Sequence, residues 1–105
     1  MGKVKWTFEA LHWLKEIHDY IARDNPSAAQ KTVQGIHRLA STLSAFPQRG
    51  YRFEEVSDRE IRVVLYGHYR IAYLVKSNGD VDLLGIFHGA LDDMGRYLTD
   101  LPDSL

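Results

Sequence analysis

The chain has 105 residues, 13 lysines and arginines against 14 aspartates and glutamates, and no cysteine. The length suits a single domain, residues 1–105, with a modest core. The missing cysteine excludes disulfide and thiolate chemistry and fits a reducing, cytoplasmic setting. A net charge of −1 lacks the basic excess of proteins held to nucleic acid mainly through phosphates. No run of about 18 apolar residues is present to span a membrane, and no signal peptide is read at the N-terminus.

Lys3–Trp6 reads as a short strand. Thr7 stands where an N-cap belongs, with Glu9 in the first turn, favourable for the exposed amides and the helix dipole. Leu11, Leu14, Ile17 and Ile21 recur at helical spacing, widened by Trp13 and Tyr20, and predict a helix over 8–23. Asn25 then caps a second helix with Pro26 at its first position. Ala29, Val33, Ile36, Leu39, Leu43 and Phe46 carry its apolar stripe to about residue 46, before Pro47. Gly35 marks a weak spot or a close approach between the helices. The short connection makes the two helices an antiparallel hairpin.

After the turn "PQRG" the hydrophobic period changes to two. "YRFEEV" is a weak strand; "REIRVVLY", "HYRIAYLV" and "DVDLLGIFH" are stronger ones. The last two are joined by "SNGD", and Asn-Gly between β runs is a hairpin signal. With Asn78-Gly79 as a two-residue loop, Arg70 faces Phe87, Ala72 faces Gly85 and Leu74 faces Leu83. Tyr69, Ile71, Tyr73 and Val75, opposite His88, Ile86, Leu84 and Asp82, form the bulkier face and are assigned to the helices. Arg70 then lies on an open, concave face and His88 turns into the core. Leu91–Leu98 is a short C-terminal helix, and 98–105 a frayed tail. The expected fold is α+β: a short N-terminal strand, a two-helix hairpin, an antiparallel sheet packed on it and a short last helix. Leu14, Ile17, Ile21, Ile36, Leu39, Leu43, Ile71, Tyr73 and Ile86 are expected to form one core.

Five of the eight arginines fall between Arg49 and Arg70, with no lysine among them, while six aspartates and one arginine follow from Asp80 onward. The guanidinium cluster is either a solvated sheet edge or a surface for a carboxylate-bearing partner. Near the C-terminus, "FHGALDDMGRY" (87–97) gathers a histidine, an arginine and a tyrosine. RNA cleavage requires a base for the 2′-OH, cations for the phosphorane and an acid for the leaving oxygen. Arg70, His88 and Tyr97 are the candidates, with Arg62 and His68 weaker ones. His12 and His18 are about 240° apart on a helix, and no zinc or phosphate-loop signature appears. No metal and no cofactor is expected.

The stretches "IHDYIARDNPSAA", "LSAFPQRGYRFEEV", "REIRVV", "YRIAYLV" and "LLGIFHGALD", in this order, resemble the RelE/ParE superfamily of type II toxin–antitoxin toxins, the ParE-like branch more than the RelE-like. The resemblance covers about Ile17 to Asp92. It implies a cognate antitoxin whose C-terminal segment wraps the toxin. Characterised ParE-like members block DNA gyrase; RelE-like members cut mRNA on the ribosome. In RelE-like nucleases the arginine matching Arg70 serves the phosphate site, and an aromatic residue falls where Tyr97 stands. Those nucleases carry a further arginine where this chain has Leu91, followed by Asp92 and Asp93. The resemblance therefore implies a toxin that acts by binding, with no catalytic residue. The alternatives are a ribosome-dependent mRNA endonuclease and a non-toxic chain that keeps only antitoxin binding. The expected contact surface is the open sheet face with Arg62 and Arg70, extended by Arg49, Arg52 and Trp13.

Overall fold

The computed structural model describes residues 2–88 and 91–102. A short strand β1 (Val4–Trp6) leads into α1 (Phe8–Ala22) and α2 (Pro26–Ser41). Then come β2 (Tyr51–Arg52), β3 (Glu60–Tyr66), β4 (Tyr69–Val75), β5 (Val81–His88) and α3 (Leu91–Thr99). The fold is α+β, with the helical hairpin on one side of the sheet and α3 on the other.

The capping residues act as their chemistry dictates. The Thr7 hydroxyl accepts from the Ala10 amide and donates to the Leu83 carbonyl at 2.6 Å, which ties the start of α1 to β5. Asn25 accepts from the Ala28 amide, with Pro26 opening α2. α2 ends at Ser41, short of the expected Phe46. The amides of Thr42 and Leu43 bond carbonyls three residues back, so the helix tightens and stops. Phe46 is consequently 65% exposed rather than part of the core.

The sheet runs β1-β5-β4-β3-β2. Every pairing is antiparallel except β1 with β5, so the sheet is mixed rather than wholly antiparallel. The β4–β5 loop also differs from the two-residue reading. The Lys76 amide bonds the Asp80 carbonyl, the Gly79 amide bonds the Lys76 carbonyl, and Gly79 has φ +91°. This is a three-residue loop with glycine in the left-handed position. Val75 therefore pairs with Val81. The extra step is taken up at a bulge beside Leu84: Tyr73 pairs with Leu83, and Ala72 with Gly85. Arg70–Phe87 and Ala72–Gly85 stand as expected, but Leu84 and Asp82 lie on the face opposite to the one assigned to them.

Two cores result. Ile36, Leu43, Ile71, Tyr73, Leu83 and Ile86 are buried between hairpin and sheet, with Leu14, Ile17 and Leu39 partly buried against them. Ile21 is only partly buried and lies outside this cluster. The second core, Ile61, Val63, Ala72, Leu84, Phe87, Met94 and Leu98 among others, fills the face expected to be open. Phe87 covers Gly85 there, and α3 closes the layer. Residues from 98 were expected to fray. Instead Leu98 is 1% exposed, and Arg59 holds the Leu101 and Pro102 carbonyls at 3.2 and 2.8 Å. Residues 103–105 lie outside the described ones.

Gly35 is a close-approach glycine, though to the sheet rather than to α1: a Cβ there would sit 1.8 Å from the Tyr66 hydroxyl. Tyr73 is fully buried. Its hydroxyl donates to the Pro47 carbonyl at 2.7 Å and accepts from the Gly50 amide at 2.8 Å, clamping the turn after α2. Burial pushes its phenol above the ordinary tyrosine value, which keeps the O–H that it donates to the Pro47 carbonyl. Tyr73→Phe leaves the Gly50 amide and the Pro47 carbonyl without this partner. It should lower the unfolding free energy by about 1–3 kcal/mol in a urea titration. An unchanged midpoint would show that water replaces the hydroxyl without loss.

Candidate functional site

The arginines separate by what they touch. Arg62 donates from Nε to Glu60 at 2.7 Å and from a terminal nitrogen to the Gly50 carbonyl at 2.8 Å. Arg59 holds the C-terminal segment. Arg49 reaches the Thr42 hydroxyl at 3.2 Å, and Arg52 makes a long bond to the Arg59 carbonyl at 3.4 Å. The Arg70 side chain has no hydrogen bond or ion pair among the described residues. Glu60 and Asp82, its natural carboxylate partners by sequence, are taken by Arg62 and Lys76.

Arg62 and Arg70 do not share a face. Directly paired residues of neighbouring strands point the same way. Arg62 pairs with Tyr73 and lies on the hairpin side, whereas Arg70 pairs with Leu65 and Phe87 on the other. The surface expected from sequence is thus two surfaces. Arg62 serves the fold, by holding the Gly50 turn that Tyr73 also clamps.

Arg70 belongs to a different constellation. The tight Gly67–His68 turn between β3 and β4, with Gly67 at φ +58°, brings His68 to the sheet corner where Tyr69 pairs with His88. His88 is exposed, not buried as expected, because its ring lies against Tyr69 (4.9 Å between centroids) and near His68 (6.2 Å) at the end of the sheet. Leu65, Gly67, His68, Arg70 and His88 line a cavity of about 260 Å³. A guanidinium and two imidazoles face it, no carboxylate lines it among the described residues, and Leu65 beside it is 56% exposed. The chemistry of this corner suits an oxyanion next to an apolar contact.

Tyr97 is not part of that corner. It lines a separate groove of about 560 Å³ with Glu9, Asp93, Arg96 and Asp100, and its ring packs on Phe87 at 5.7 Å. Burial, and then the Glu9 carboxylate, push its phenol above the usual value. The three groups considered for RNA cleavage therefore lie in two cavities, and the tyrosine among them is held neutral. Trp13 is partly buried, wedged against Phe87 at 5.3 Å and touching both cores, which makes it a packing residue. The side chain of Leu91 lies outside the described residues. No group of three or more histidine, aspartate or glutamate side chains is placed to hold a metal among the described residues.

Sequence reasoning missed several exposed groups: Leu65, Phe46, Tyr51 and, on α1, Phe8 and Leu11. The signal for Phe46 was present, since it stands one residue before Pro47, where a helix has already ended. Gly95, inside α3, was also passed over.

A family model described as "ParE toxin of type II toxin-antitoxin system, parDE" matches residues 4–92. Toxin RelE2 of Caulobacter vibrioides is 38% identical over 90 residues, covering 86% of this chain and 98% of the relative. Among solved structures, a chain of the "Chromosomal ParDE TA system from P. aeruginosa" superposes with a TM-score of 0.69. It is 27% identical, and the match covers 84% of this chain and 96% of that one.

Proposed function

The chain belongs to the ParE toxin family of type II toxin–antitoxin systems, and from that premise we propose that it acts by binding, with DNA gyrase as its target and a cognate antitoxin as its neutraliser. The observation that carries this reading is the dispersal of the nuclease candidates. Arg70 and His88 share one corner, while Tyr97 sits in another groove among carboxylates. A neutral tyrosine is a poor general base at physiological pH. The Arg70 corner is suited instead to hold a carboxylate of the antitoxin beside an apolar anchor on Leu65. Arg49, near exposed Phe46, and Arg52, beside Tyr51 at the β2 edge, offer further guanidinium away from this corner. Among the described residues no helix is long and apolar enough to cross a membrane, and the site of action in this reading is the cytoplasm.

Expression in growing cells tests the reading. Filamentation with induction of the DNA-damage response is the expected result. Rapid arrest of translation would replace it with the mRNA-cleavage reading, and normal growth would leave a chain that binds antitoxin without poisoning.

A further inference from the structure

We propose that the edge of β2 and the groove between it and α3 receive an extended strand from the antitoxin, with an aspartate or glutamate opposite Arg52. The identity of the strand's owner rests on the functional reading above; the docking geometry rests on three features of the fold.

The first is main-chain direction. The Phe53 amide bonds the Ile61 carbonyl at 2.8 Å, which makes 53 and 61 a hydrogen-bonded pair of the antiparallel ladder. Pairs alternate along such a ladder, so Arg52, opposite Arg62, turns its N–H and C=O away from β3. β2 is the last strand of the sheet, and these two groups face outward with no strand beyond them among the described residues. An incoming strand would close both bonds.

The second is charge. Arg52 and Arg62 are directly opposed, an unfavourable like-charge pair. Glu60 neutralises Arg62, whereas Arg52 has only its long bond to a carbonyl. A residue of the new strand opposite Arg52 would project on the same face. A carboxylate there would relieve the repulsion and hold the register.

The third is Gly95. Glycine inside a helix is unfavourable unless space demands it. Space does not demand it here, because a Cβ would meet nothing nearer than the Phe53 ring at 3.9 Å and the Glu55 carboxylate at 4.0 Å. Gly95 instead forms part of the wall of a groove of about 680 Å³ shared with Tyr51, Arg52, Met94 and Arg96. The residues flanking the carboxylate would point into this groove, onto the exposed ring of Tyr51. Small apolar side chains fit there. Glu54 and Glu55 also line the groove and exclude further carboxylates from its floor.

The test uses the full chain with its cognate antitoxin, by hydrogen-exchange mass spectrometry and titration calorimetry. The expected results are protection of the Arg52 amide in the complex and at least tenfold weaker binding by Gly95→Leu. Gly95→Ala serves as a folding control with a thermal midpoint no lower than the parent's. A complex in which the Arg52 amide exchanges as in the free chain, and which Gly95→Leu forms normally, would overturn the groove and leave the antitoxin reading intact. Failure of the parent chain to bind any antitoxin would overturn both.

Discussion

Ile71→Ala should lower the unfolding free energy by about 2–5 kcal/mol, read as a shifted urea midpoint with an unchanged slope. Ile71 is fully buried in the middle of β4, paired with Val64 on one side and Ile86 on the other, and lies in the core shared with Ile36 of α2 and Leu43 just after it. Removing its branched side chain forfeits transfer energy and leaves a cavity that two strands and a helix fill only in part. Leu65→Ala is the matched control: Leu65 is on the neighbouring strand but 56% exposed. Its change should stay within about 0.5 kcal/mol. A negligible shift for Ile71→Ala would mean that the faces of β4 are reversed.

Arg70→Ala should leave the thermal midpoint where it is and weaken antitoxin binding by about 2–5 kcal/mol, the cost of truncating one member of a desolvated arginine–carboxylate pair. The fold should not respond, because the Arg70 side chain makes no hydrogen bond or ion pair among the described residues. Arg62→Ala should do the opposite. It strands Glu60 and removes the donor to the Gly50 carbonyl, so stability should fall. Calorimetric titration and thermal unfolding of both variants separate the roles. If Arg70→Ala binds normally, the corner of Arg70, His68 and His88 is not the docking surface. If it unfolds, Arg70 belongs to the scaffold.

The helices were legible because their signals are local. The caps formed by Thr7 and Asn25 act within four residues of their own position, and Leu14, Ile17, Ile36 and Leu39 turn inward as their spacing implies, whereas Leu11 and Tyr20 of the same stripe stay exposed. The pairing of Arg70 with Phe87 was legible as well. It lies past both the wider loop and the bulge at Leu84, whose offsets cancel. Between them the offsets do not cancel, and there Leu84 and Asp82 were turned the wrong way. Nothing in "VDLLGIFH" announces a bulge: Leu83 and Leu84 are equally apolar and each is buried, on opposite faces. The β1–β5 pairing joins the two ends of the chain, so no local pattern reports it. Arg62 and Arg70 were placed on one face because each strand was read alone. The two-residue turn at Gly67–His68 fixes their relation and puts them on opposite sides. His88 shows the same limit. The face was assigned correctly, but how far along β5 the hairpin's cover extends is a tertiary property.

A chain that works by binding leaves RNA intact. The most direct test is primer extension on mRNA from translating ribosomes incubated with the purified chain. No new 5′ ends are expected, because the histidine–arginine corner and Tyr97 lie in separate cavities. Discrete cuts that disappear in Tyr97→Phe or His88→Ala would contradict the binding reading.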